Sequence, residues 1–167
     1  MISCSLDEML ALFRARLETW TRNNRALLSI AKDPWNALEM LAEAPAGLRV
    51  ILNWSGDAAA GNLDGGEFGS VNNVEVIVSY NLGLTAKPDA ALLSAQPNRP
   101  ALLRCVSEIR ECILSLGVED EASDELVSPG YVGCEPVITP EGIPLAAFRL
   151  RFTFVAAFPD YDISVAE

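Results

Sequence analysis

The chain has 167 residues, of which half are hydrophobic, and 12 basic against 23 acidic side chains give it a formal net charge of −11. This balance is typical of one globular domain and excludes a disordered or low-complexity chain. The absence of histidine excludes Ser-His-Asp and Cys-His catalysis and His-containing zinc sites, and the negative charge argues against a sequence reader of DNA or an anionic-membrane binder.

The first third of the sequence is predicted to be helical. Ser5 and Glu8 form a capping box, and an apolar stripe at three- and four-residue steps runs from Leu6 to Trp20. Asp33 and Pro34 have the pattern of an N-cap followed by proline at the first helical position, which predicts a second, shorter helix ending before Pro45. Residues 22–31 are interpreted as a further helical piece.

Two strands joined by a long loop are predicted next. Residues 49–54 are short, branched and apolar, and residues 74–84 alternate with a period of two. Between them, residues 55–73 hold five glycines, three acidic residues and no basic one. This composition predicts a hairpin loop that carries contacts.

The second half of the sequence predicts one helix and two more strands. An apolar stripe predicts the helix over residues 100–116, after the proline-containing connector 87–100. An acidic stretch around residues 119–125 follows, and then a strand over 131–138 that is kinked or bounded at Pro136. In the last strand, phenylalanines on one face alternate with Arg149, Arg151 and Thr153 on the other.

This element order predicts an α+β fold, with an antiparallel or mixed sheet of about four strands and helices packed on one face. We expect a single domain over residues 1–167. It would comprise a helical N-terminal extension (1–46), an α+β core (47–158) and a tail (159–167).

No residues are assigned to catalysis, to a cofactor or to a metal. Asp57, Asp64 and Glu67 do not match the calcium-loop pattern, and the glycine-rich stretch 61–69 lacks the lysine of a phosphate-binding loop. The four cysteines have no C-x-x-C spacing and are interpreted as buried, reduced thiols. We therefore expect a protein that is not an enzyme. With neither a signal peptide nor an apolar run long enough to span a membrane, it should be made or assembled in the cytoplasm.

The arrangement of residues 48–158 resembles the tail terminator, or tail completion, proteins of long-tailed bacteriophages and prophages. The resemblance lies in the strand 49–54, its long loop, the strand 74–84, the helix 100–116 and the closing pair of strands, which ends in Phe148-Arg149-Leu150-Arg151-Phe152-Thr153-Phe154. It implies a small structural subunit of a hexameric ring that caps the tail tube, stops its polymerisation and joins it to the head connector. The location implied is the tail or neck of the virion, with assembly in the host cytoplasm and no cofactor.

Under this resemblance, DNA only passes through the ring, and a lumen of carboxylates would repel its phosphates. The candidate contacts to the lumen or the tube are Asp57, Asp64, Glu67 and Phe68. The candidate contacts between subunits are Arg149, Arg151, Glu119, Asp120 and Glu121, and the cluster 119–125 is also a candidate for the lumen.

Two other classes of function fit the same sequence. An acidic, monomeric interaction or immunity-type protein would use the negative surface to attract a basic partner. A small enzyme that uses carboxylates would need a ligand-sized pocket holding two acids with raised pKa values.

Overall fold

The computed structural model describes residues 6–43, 47–62, 68–81, 92–93, 100–116, 118–119, 126–127, 129–138 and 145–157. The helices are α1 (Leu6–Asn23), α2 (Pro34–Ala42) and α3 (Leu102–Leu114). The strands are β1 (Leu27–Ala31), β2 (Gly47–Asn62), β3 (Phe68–Asn81), β4 (Val118–Glu119), β5 (Leu126–Val127), β6 (Gly130–Pro136) and β7 (Leu145–Ala157).

Five of these strands form one mixed sheet in the order β1-β2-β3-β7-β6. β1 runs parallel to β2, and every other neighbouring pair is antiparallel. β4 and β5 pair separately as a short ladder beside the acidic stretch. The α+β class and the mixed sheet are therefore confirmed, with five strands instead of about four.

Strand β1 corrects the prediction that residues 22–31 are helical. Helix α1 ends at Asn23, and Arg25 adopts a left-handed conformation with a φ of 53°, which turns the chain back along the sheet. The segment Leu27–Ala31 then pairs in register with residues 49–53 of β2. The part of the chain interpreted as a helical extension thus contributes a strand to the main sheet.

The predicted loop over residues 55–73 is also mostly strand. β2 continues to Asn62 and β3 already begins at Phe68, because the two segments pair with each other and β3 also pairs with β7. The register of this ladder shifts between Ala59 and Asn62 and also between Trp54 and Gly56, where Gly56 has a φ of +112° that suits glycine.

Helices α1 and α3 cover one face of the sheet and enclose the larger core. The central strands supply valine, leucine and phenylalanine side chains at alternate positions, as their periodicity predicted. Phe13 of α1 is fully buried, with its ring centroid 6.2 Å from that of Phe152 and 5.9 Å from that of Phe154. Trp20 Nε1 donates to Glu108 Oε2 at 3.2 Å and so ties α1 to α3. Helix α1 is therefore part of the core.

Helix α2 lies on the opposite face, so the helices are not all on one side of the sheet as predicted. Ala37 and Leu41 of α2 are buried against Ile51, Ile77 and other small apolar side chains of that face. Asp33 caps the helix as its sequence predicted, because its Oδ1 accepts a 2.7 Å hydrogen bond from the backbone N–H of Asn36. The reason for the difference is that Ile51 and Ile77 place apolar groups on a face that is otherwise largely polar.

Candidate functional site

The end of β2, the beginning of β3 and the end of β7 form a three-stranded arm, defined here as residues 56–62, 68–73 and 153–157. Asp57 is exposed on this arm, opposite Asn72 of β3. Because β3 pairs with β2 on one side and β7 on the other, the middle strand of the arm is hydrogen-bonded along both edges. The arm is therefore a paired sheet and not an open loop.

Side-chain hydrogen bonds brace the base of the arm. Trp54 Nε1 donates to Asn72 Oδ1 at 3.2 Å, and Asn72 Nδ2 donates to Ser70 Oγ at 3.0 Å. Asn72 and Ser70 are both buried, so these bonds satisfy polar groups removed from water. Across the bulge, Ser55 Oγ donates to the carbonyl oxygen of Asn73 at 3.3 Å. These bonds surround Asn72, the residue that lies opposite Asp57 in the ladder.

The structure places the four candidate lumen or tube residues only in part. Asp57 is the one whose side chain is described, and it is exposed. Phe68 begins β3 opposite Asn62, but its side chain lies outside the description. Asp64 and Glu67 lie outside the described residues. That all four candidate residues lie together on one surface therefore stays a prediction.

Arg149 and Arg151 belong to an ion-pair network on the α2 side of the sheet. Arg149 lies between two carboxylates, with Nε 3.6 Å from Glu75 Oε2 and Nη1 3.6 Å from Glu135 Oε1. Arg151 Nη2 lies 3.3 Å from Glu135 Oε2. Asn53 Nδ2 extends the network by donating to Glu75 Oε2 at 3.4 Å. The acidic partners of both arginines therefore come from the same chain.

Sheet register explains why these groups meet. Glu135 lies opposite Arg149 in the β6–β7 ladder, and Glu75 lies opposite Arg151 in the β3–β7 ladder. Sequence reasoning placed both arginines on the face away from the phenylalanines, but it did not identify Glu75 or Glu135. The alternation of β3 was the available signal, because it put Glu75 on the polar face.

The three acidic candidates for contacts between subunits are placed less fully. Glu119 lies in β4, opposite Leu126 of β5, and its side chain lies outside the description. Asp120 and Glu121 lie outside the described residues. Arg149 has 26% of its side chain exposed and Arg151 has 46%, so Arg151 is the better placed of the two to reach another molecule.

The cysteines differ in exposure. Cys105 is fully buried, and burial, reinforced by Glu108, raises its pKa to about 12, so its thiol stays protonated at neutral pH. Cys112 is half-buried, and burial raises its pKa as well. Cys134 is exposed on β6, which corrects the prediction that the thiols are buried, while Cys4 lies outside the described residues. Within the described ranges, no three Cys, Asp or Glu side chains are grouped as metal ligands would be.

No family model matches the chain, and no curated protein matches it. Among the described residues, no helix has the length and apolar character needed to cross a membrane. Function is therefore inferred from the residues and their contacts.

Proposed function

We propose that this chain is a structural subunit of a bacteriophage tail, whose copies form a ring that caps the tail tube. The ring would end tube polymerisation and join the tail to the head connector, without catalysis. The observation that carries this proposal is the arm, because three paired strands hold Asp57 exposed within a stretch, residues 55–73, that has three acidic residues and no basic one.

The distribution of charge supports the same role. Residues 1–49 hold six basic and six acidic side chains, which leaves six basic and seventeen acidic ones for residues 50–167. A ring that turned this acidic part toward its lumen would repel the phosphates of DNA and let the genome slide through. DNA is then a passing polymer, and the binding partners are other copies, the tail tube protein and the connector, in the tail or neck of a virion assembled in the host cytoplasm.

The ion-pair network limits where neighbouring copies would make contact. Since Glu75 and Glu135 already neutralise Arg149 within the chain, this arginine has little to offer a second molecule. Arg151 is half-exposed and has one described carboxylate partner, Glu135. We therefore retain Arg151 as a contact between subunits and assign Arg149 to the stability of the sheet.

The size of the particle in solution is the first test. We expect light scattering to give the mass of about six copies in a closed cyclic assembly, the ring size that the resemblance to tail terminator proteins implies. Negative-stain images of the protein mixed with tail tubes should show it at one end of each tube. A single chain that ignores tubes but binds a basic protein would instead support the acidic interaction protein described above.

A charge-neutralised variant tests the lumen. We expect Asp57→Asn, Asp64→Asn and Glu67→Gln together to leave the ring intact and to slow DNA passage in assembled particles, because fewer carboxylates oppose the phosphates. The matched control removes three charges from the helical region with Glu18→Gln, Glu39→Gln and Glu43→Gln. Equal passage in both variants would remove the role of the arm in the lumen.

A further inference from the structure

Strand β1 has an outer edge that no described strand pairs with. Its sequence, Leu27-Leu28-Ser29-Ile30-Ala31, contains no charge, proline or bulge, which are the features that usually protect an edge strand. Leu27 is 56% exposed and Ile30 is 48% exposed. An edge of this kind is a template for another extended segment.

An open pocket lies beside this edge. It has a volume of about 440 Å³, and its walls are mostly apolar, from Leu10 and Ala11 of α1, Ile30 of β1, and Leu52 and Trp54 of β2. Three charged residues, Asp7, Arg14 and Lys32, also line it. A free strand edge that supplies backbone hydrogen bonds, next to a pocket that takes side chains, is the arrangement that recognises an added β-strand.

The other face of the edge is cationic. Arg49 of β2 donates from Nη2 to Ser29 Oγ at 3.0 Å and from Nη1 to the carbonyl oxygen of Met40 at 2.6 Å. In the described part of the chain, no carboxylate lies within ion-pair distance of Arg49. A strand that pairs with β1 should therefore be apolar on the pocket side and acidic on the other.

The end of the sequence has this pattern. Tyr161, Ile163 and Val165 alternate with Asp162 and Ser164. We propose that residues 160–166 of a second copy of this chain add to β1 as an outer strand. Their apolar side chains enter the pocket, and Asp162 faces Arg49.

The segment must come from a second copy because its own chain is too short to reach. β7 ends at Ala157, opposite Gly69 of β3, whereas Ala31 at the end of β1 is level with Glu75, six residues further along β3. The separation is about 20 Å along the strands and about 19 Å across four strand spacings, or about 28 Å in all. The four residues from Ala157 to Tyr161 span at most about 14 Å.

A labelled peptide of residues 158–167 tests this contact directly. The protein that binds the peptide, called the acceptor here, is the full-length chain carrying Ile163→Lys. This substitution prevents residues 160–166 of the acceptor from competing with the peptide and leaves β1 unchanged. We expect saturable binding by fluorescence anisotropy and slower hydrogen exchange at the backbone amides of β1. A peptide carrying Ile163→Lys should bind more than about tenfold more weakly, because a charge would enter the apolar pocket.

The acceptor side has its own control. Ile30→Lys in the acceptor should abolish binding, whereas Leu103→Lys, at an exposed leucine of α3, should leave it unchanged. Equal binding of the wild-type and Ile163→Lys peptides would overturn the proposal, as would unchanged hydrogen exchange in β1. Neither measurement uses the Ile30→Lys variant, so both remain valid if that variant fails to fold. This contact goes beyond the ring function, and the two can be tested separately. Binding of the peptide would support the contact whatever the number of copies in the assembly. Rings that form although the peptide does not bind would support the ring function and contradict this contact.

Discussion

Gly130 of β6 lies directly opposite Thr153 of β7, at a point where the two strands leave no room for a side chain. A Cβ atom at Gly130 would lie 2.8 Å from Thr153 Oγ1, whereas one at Gly133 would meet no atom within 4 Å. We expect Gly130→Ala to lower the free energy of unfolding by about 1–3 kcal/mol, as overpacking does, and Gly133→Ala to change it by less than about 0.5 kcal/mol.

Urea unfolding followed by tryptophan fluorescence would measure this difference. Adding Thr153→Ala to Gly130→Ala removes the obstructing hydroxyl, so the double variant should recover most of the loss relative to Thr153→Ala alone. Equal stability of Gly130→Ala and Gly133→Ala would show that Thr153 simply turns away.

At the same scale, the sequence predicted the direction of side chains better than their partners. A period of two was enough to separate Arg149 and Arg151 from the phenylalanines of β7. The pairing with Glu75 and Glu135 depends on which strands are neighbours and on their register, and neither is encoded in any local pattern. The internal ion pairs were therefore missed.

At the scale of elements, helix α1 was interpreted as part of an N-terminal extension, but it packs against the sheet and encloses the core. Substitutions in α1 should therefore affect the stability of the whole domain. Phe13 is fully buried between α1 and β7, whereas its neighbour Leu12 is 38% exposed. We expect Phe13→Ala to lower the free energy of unfolding by about 3–5 kcal/mol and Leu12→Ala by less than about 1 kcal/mol.

The measurement is denaturant unfolding followed by circular dichroism, with Leu12→Ala as the matched control on the same helix. Small and equal effects of the two substitutions would mean that the sheet is stable without α1. A large effect confined to Phe13→Ala is what a helix integral to the core requires.

Long periodic elements could be predicted from the sequence, and short or irregular ones could not. The stripes of α1 and α3 and the alternation of β7 each extend over three or more repeats, so local physics determines them. β1 has only five residues, and its placement depends on a parallel partner, β2, about twenty positions later. The ends of β2 and β3 are rich in glycine, and pairing with each other, not their composition, makes them strands.

At the scale of the whole molecule, the net charge allows the salt dependence of association to distinguish the tail ring from the acidic interaction protein. Each copy carries a formal charge of −11, so copies repel one another when they assemble. If association comes from apolar and backbone contacts, screening should strengthen it, because the Debye length falls from about 10 Å at 0.1 M salt to about 3 Å at 1 M. We expect sedimentation velocity to show a larger assembled fraction as salt rises from about 0.02 M to about 0.5 M.

An acidic protein that captures a basic partner predicts the opposite trend, since salt weakens attraction between unlike charges. The variant Glu18→Gln, Glu39→Gln, Glu43→Gln is a useful control here, because lower net charge alone should flatten the salt dependence. Assembly that weakens with salt would contradict a ring held by apolar and backbone contacts.

The position of β7 has a consequence for how the molecule is made. This strand lies between β3 and β6, yet it is synthesised after the other four strands of the sheet, and its partner β3 precedes it by more than sixty positions. The hairpin of β2 and β3 closes early, but one side of β3 has no partner until β7 has been synthesised. Such distant pairing slows folding toward the millisecond-to-second range. The nascent chain therefore holds an unfinished sheet, with the interior strand β3 temporarily at its edge, until β7 emerges.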